Sequence, residues 1–75
     1  MISLLQLNPN QAGKIVAIKG GRGLIIRFNN LGIREGAKIK KVAGYSRGGP
    51  VVISVNGTQL ALGKGMASKI LVEVQ

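Results

Sequence analysis

The sequence predicts an all-β fold: a small SH3-like barrel of five or six short strands with one or two single-turn helices. Three observations predict it. The apolar residues come in short stretches, 12 glycines break those stretches apart, and several stretches alternate with a period of two. An open sheet of this size would leave hydrophobic edges exposed, so closure into a barrel is expected. The chain of 75 residues makes one domain, residues 1–75. It has no Cys and no His, so neither a disulfide nor a zinc site can brace it, and its 45% apolar residues must supply the core.

The elements follow in order. Gly13 to Lys19 reads as a first strand, partly apolar on both faces. Gly20-Gly21-Arg22-Gly23 reads as a turn. Leu24, Ile26 and Phe28 share one face of a second strand, with Arg27 on the other. Asn29 to Gly32 reads as one helical turn closed by a left-handed Gly32. Ala37 to Tyr45 reads as a third strand in which Lys41 takes a slot due to an apolar residue. Val42 resumes the pattern one residue late, which signals a β-bulge. Ser46 to Gly49 reads as a loop. Val51, Ile53 and Val55 form the inner face of a fourth strand. Asn56-Gly57 suits a type I′ hairpin turn into a fifth strand bearing Leu60 and Leu62. Gly63 to Ser68 can form one helical turn with Met66 and Ala67. Ile70, Val72 and Val74 define the last strand.

The inventory of reactive groups is nearly empty. The only carboxylate side chains are Glu35 and Glu73, set against 11 Lys and Arg for a net charge of +9. No His or Asp is present to activate a serine, so no catalytic residue is expected. Two carboxylates amid so many cations make a poor metal site, and no metal or cofactor is expected. Gly57 to Gly65 resembles a phosphate loop only loosely. Five residues separate Gly57 from Gly63 instead of four, and Gly65 stands where Ser or Thr would hold magnesium. No small-molecule substrate is therefore implied. Asn56-Gly57-Thr58 matches a glycosylation acceptor but reads as the hairpin turn. No apolar run approaches a membrane span, and the chain reads as cytoplasmic.

What remains is binding. Arg34, Lys38, Lys40 and Lys41 form a basic cluster, with Arg22 and Arg47 at turn tips. Such charge suits nucleic acid, an acidic protein face or an anionic membrane surface. Its plain alternative is a solvated face that keeps an apolar domain in solution. A specific nucleic-acid role is disfavoured by the scarcity of aromatic platforms, only Tyr45 and Phe28 being available.

The order of motifs carries a family resemblance. Leu7-Asn8-Pro9-Asn10-Gln11-Ala12-Gly13-Lys14-Ile15 opens the first strand. Arg27-Phe28-Asn29-Asn30-Leu31-Gly32-Ile33-Arg34-Glu35-Gly36 leads into the third. Gly49-Pro50, Leu60-Ala61-Leu62, Ala67 and Ile70-Leu71-Val72-Glu73 complete the set. Together they resemble the FeoA family of bacterial ferrous-iron transport proteins over nearly the whole chain. Asn10 stands where the family has a turn glycine, and Asn is the next-best residue for positive φ.

The resemblance implies a cytoplasmic accessory of FeoB, a membrane ferrous-iron transporter with a cytoplasmic GTPase domain. It implies binding to that partner, and the positive charge would also draw the module towards the anionic inner face of the membrane near it. The expected partner surface comprises Arg22, Leu31, Ile33, Arg34, Lys38, Lys40, Lys41, Tyr45 and Arg47. The alternative is a small basic SH3-like module that binds RNA or DNA.

Overall fold

The computed structural model describes residues 1–44 and 49–75. Six antiparallel strands lie in the order β1-β6-β2-β3-β4-β5. They are β1 (Ile2–Ser3), β2 (Ala12–Ile18), β3 (Lys38–Ala43), β4 (Val51–Val55), β5 (Thr58–Leu62) and β6 (Ile70–Val74). A 3₁₀ turn at Leu4–Gln6 follows β1, helix α1 (Arg22–Asn30) follows β2, and helix α2 (Lys64–Ala67) follows β5. The sheet curls around one core to which every strand but β1 sends a buried side chain. Ile15, Ile39, Ile53, Leu62, Ile70 and Val72 come from the strands. Leu4, Phe28 and Ala67 come from the 3₁₀ turn and the two helices.

The alternating strands behave as their pattern dictates. Val51, Ile53 and Val55 point inward, and Val52 and Ser54 are half-buried between them. Asn56 and Gly57 have φ of 52° and 78°, the two positive angles of a type I′ turn. Asn10 also takes a positive φ, 68°, at the turn before β2. The bulge expected at Lys41 is present: β3 slips register against β4 between Lys41 and Ala43. A second slip, between Ile15 and Ala17 of β2, has no counterpart in the sequence reading.

One element differs. Leu24 to Phe28, expected as a strand, is the middle of the nine-residue helix α1. The spacing explains the error. Leu24 and Phe28 lie four apart, a distance common to both a strand face and a helix face. Ile26 separates the two cases: a strand would bury it with them, but it is 52% exposed. Phe28 is fully buried while Leu24 and Ile25 are half-buried beside it, which is a helical stripe.

The helix ends in a Schellman motif. The Ile33 N–H donates to the Phe28 carbonyl at 2.9 Å and the Gly32 N–H to Asn29 at 3.0 Å, with Gly32 at φ +86°. Ile33 is thereby turned onto Phe28's side of the chain, and both are fully buried. A Cβ at Gly32 would take a strained φ and meet the Asn56 amide nitrogen at 3.3 Å. We predict that Gly32→Val costs about 2 kcal/mol and lowers Tm by ~10 °C in thermal denaturation. An unchanged Tm would refute the motif's importance.

Candidate interaction surfaces

The expected partner residues separate into four groups. Arg22 opens α1 and is exposed, Leu31 caps its end at 40% exposure, and Arg34 is exposed just beyond. Lys38 and Lys40 project outward from β3, alternating with the buried Ile39. Ile33 and Lys41 are inside the molecule and cannot meet a partner. Tyr45 and Arg47 lie outside the described residues.

Lys41 is the informative correction. Its identity suggested a surface cation, but regular alternation from Ile39 carries it inward opposite Ile53, just before the bulge, where it is 7% exposed. Its ammonium donates to the Leu7 carbonyl at 2.7 Å and the Leu5 carbonyl at 3.0 Å. Its own backbone joins the same segment. The Asn10 N–H donates to the Lys41 carbonyl at 2.7 Å, and the Lys41 N–H donates to Gln11 at 3.0 Å. Lys41 thus fastens the segment from Leu5 to Gln11 onto β3.

Beside α1 lies an open cleft of ≈ 370 Å³ lined by Ile18, Ile25, Asn29, Arg34 and Glu35. The Schellman turn places Arg34 there, and its guanidinium donates to the Asn29 carbonyl at 3.0 Å. That bond adds a charged donor to a carbonyl that already accepts from the Gly32 N–H, at a helix C-terminus where positive charge is favoured. The bond draws the side chain back over the helix end, next to Glu35 in the chain. The wall is apolar at Ile18 and Ile25, polar at Asn29 and carries both signs of charge. It can seat an apolar side chain while pairing with a polar rim. Its described lining residues include no nucleophile and base pair.

The outer face of the sheet carries a second feature that sequence reading missed. Lys14 of β2 stands directly opposite Lys38 of β3. On its other side Lys14 faces Glu73 of β6. Just beyond the strand ends, the Lys19 N–H donates to the Lys69 carbonyl at 2.8 Å, so those two lysines are neighbours as well. Lys14, Lys19, Lys38, Lys40 and Lys69 are all exposed. The alternation around the buried Ile15 marks Lys14 as outward-facing. Only the strand register, which the sequence does not display, sets it against Lys38.

Comparison with known proteins adds kinship. A family model described as the FeoA domain matches residues 2–74. A protein of Methanocaldococcus jannaschii with the provisional name Fe(2+) transport protein A is 41% identical over 56 residues. That stretch is 75% of this chain, which spans 66% of the relative's length. The crystal structure of an iron uptake regulatory protein (FeoA) is similar at a TM-score of 0.92 and 31% identity, covering 99% of this chain and 97% of that one. FeoA of Stenotrophomonas maltophilia is an SH3-domain protein crystallised with zinc and described as a candidate activating factor of ferrous iron transport. Its likeness, at a TM-score of 0.82 over 97% of this chain and 91% of that one, has 22% identity and speaks for the fold alone.

Adjacent lysines on β3 offer a matched test of these placements. Lys41→Glu would set an unpaired carboxylate against two carbonyls, and we expect it to cost more than ~3 kcal/mol or prevent folding. Lys40→Glu, on the outer face, should stay within ~1 kcal/mol of wild type. Urea denaturation of both decides it; equal midpoints would refute the buried role of Lys41.

Proposed function

The chain belongs to the FeoA family, and on that premise we propose that it is a non-catalytic accessory of ferrous iron transport that docks on the cytoplasmic side of the membrane transporter FeoB. The observation that carries this reading is the cleft beside α1. Interaction sites on small domains combine an apolar pocket with a few fixed polar groups, and arginine is prominent among residues that dominate binding energy. Arg34, held by the Asn29 carbonyl, meets that description. Leu31 and Ile26, at 40% and 52% exposure, add apolar area on the same helix, and Arg22 starts it.

The chain's composition supports the non-catalytic part, since it holds neither His nor Cys and only two carboxylates. Among the described residues no helix is long and apolar enough to cross a membrane. An accessory of this kind acts by attaching to a transporter. The nucleic-acid alternative loses support from the position of Phe28, which is fully buried and offers no platform to a base.

A pull-down with the cytoplasmic region of FeoB tests the reading. Arg34→Glu and Leu31→Asp, each at an exposed position, should weaken association by at least ~10-fold while leaving circular dichroism unchanged. Wild-type affinity in both variants at about 0.15 M salt would overturn the cleft as the docking site.

A further inference from the structure

We propose that the outer face of β6, β2 and β3 is a docking surface for an anionic lipid bilayer. It uses residues distinct from those of the cleft, so either proposal can fail alone. The face is built around the central strand β2. Lys14 and Lys38 stand opposite each other, and Lys40 follows two residues after Lys38 on the same side. Lys19 and Lys69 are joined through the backbone at the far end. From Lys14 to Lys19 is ~16 Å along the strand, and the three strands span ~10 Å across. Glu73, opposite Lys14, is the carboxylate on this face; Glu35 lines the cleft.

Glu73 offsets one charge of this array, and folding does not account for the rest. Like charges directly opposite on neighbouring strands destabilise a sheet. A binding partner that supplies negative charge turns the same repulsion into attraction. The residue type narrows the partner. All five cations are lysines, compact charges on flexible stems without the planar fork that reads a base or grips one phosphate in fixed geometry. The face is the outside of a curved sheet, carries no aromatic residue among those described, and has Ala17 and Leu71 between its charges. Single-stranded nucleic acid is held in grooves with stacking platforms, and duplex readout needs an element that enters a groove. A bilayer's headgroups ask only for several cations presented together over a broad area.

Each lysine close to an anionic surface strengthens binding by ~5-fold, and the attraction fades over a screening length of ~8 Å at physiological salt. The test is co-sedimentation with vesicles of phosphatidylcholine containing about 30% phosphatidylglycerol, against pure phosphatidylcholine. Wild type should bind the first and not the second, more tightly at low salt. Lys14→Ser with Lys38→Ser should reduce partitioning by ~25-fold. Its Tm should stay close to that of wild type, because removing the Lys14–Lys38 repulsion offsets losing the Lys14–Glu73 pair, so loss of binding cannot be blamed on unfolding. Arg27→Ser with Lys64→Ser removes the same charge elsewhere and should reduce partitioning by less than ~5-fold. An equal loss in both double variants, or equal binding to neutral vesicles, overturns the proposal. So does tighter binding to an RNA or DNA oligonucleotide than to the anionic vesicles at about 0.15 M salt.

Discussion

A buried ammonium, answered by two backbone carbonyls, is the constraint on which this barrel depends. Taking a charged amine out of water is costly unless its hydrogen bonds are replaced. Here the Leu5 and Leu7 carbonyls replace them, and the alternation of β3 turns the side chain inward towards them. Gly44 completes the arrangement. A Cβ there would stand 2.5 Å from Lys41 Cε and 3.0 Å from its Nζ, so the lysine occupies the volume of the missing side chain. The bond sets more than its own position. It holds the stretch that carries Leu4 and Leu7, both core residues, over the barrel. The Gln6 side-chain oxygen, accepting from the Ser3 N–H at 2.9 Å, shapes the same stretch from within.

With the N-terminal stretch fixed by Lys41, the rest of the molecule divides into two working faces. On one, the Schellman turn after α1 buries Ile33, leaves Leu31 exposed at the helix end and sets Arg34 in the wall of the cleft. On the other, the regular pairing of β2 with β3 and β6 collects lysines on the outside of the sheet. The first mixes apolar wall with fixed polar groups and suits a shaped protein surface. The second is a diffuse positive field. A chain with 11 cations and two carboxylates has little scope for internal ion pairing, so its charge is presented outward.

What the sequence displayed was periodicity and turn chemistry. Val51, Ile53 and Val55 alternate cleanly because β4 buries one face, and Asn56-Gly57 is a local signal that needs no partner. The bulge showed itself as a lost beat at Lys41. Its consequence did not, because a lysine in an apolar slot looks the same whether its amine escapes to water or finds carbonyls 34 and 36 residues away. Helix α1 was hidden by the shared four-residue spacing of Leu24 and Phe28. Ile33 looked like surface because its burial depends on a backbone reversal at Gly32. Lys14 escaped notice because cross-strand neighbours are a property of register. The short strand at Ile2–Ser3 has too few residues to show any period.

The seam of the barrel joins the two ends of the chain. Ile2 lies opposite Val72, and β2 receives its second neighbour only when β6 arrives. During synthesis the ribosome must therefore deliver the final strand before the interior can close. Until that moment the core that Leu4, Ile15 and Phe28 belong to lacks Ile70 and Val72. Assembly of this kind waits on contacts distant along the chain, and such topologies fold more slowly than helical bundles of equal length.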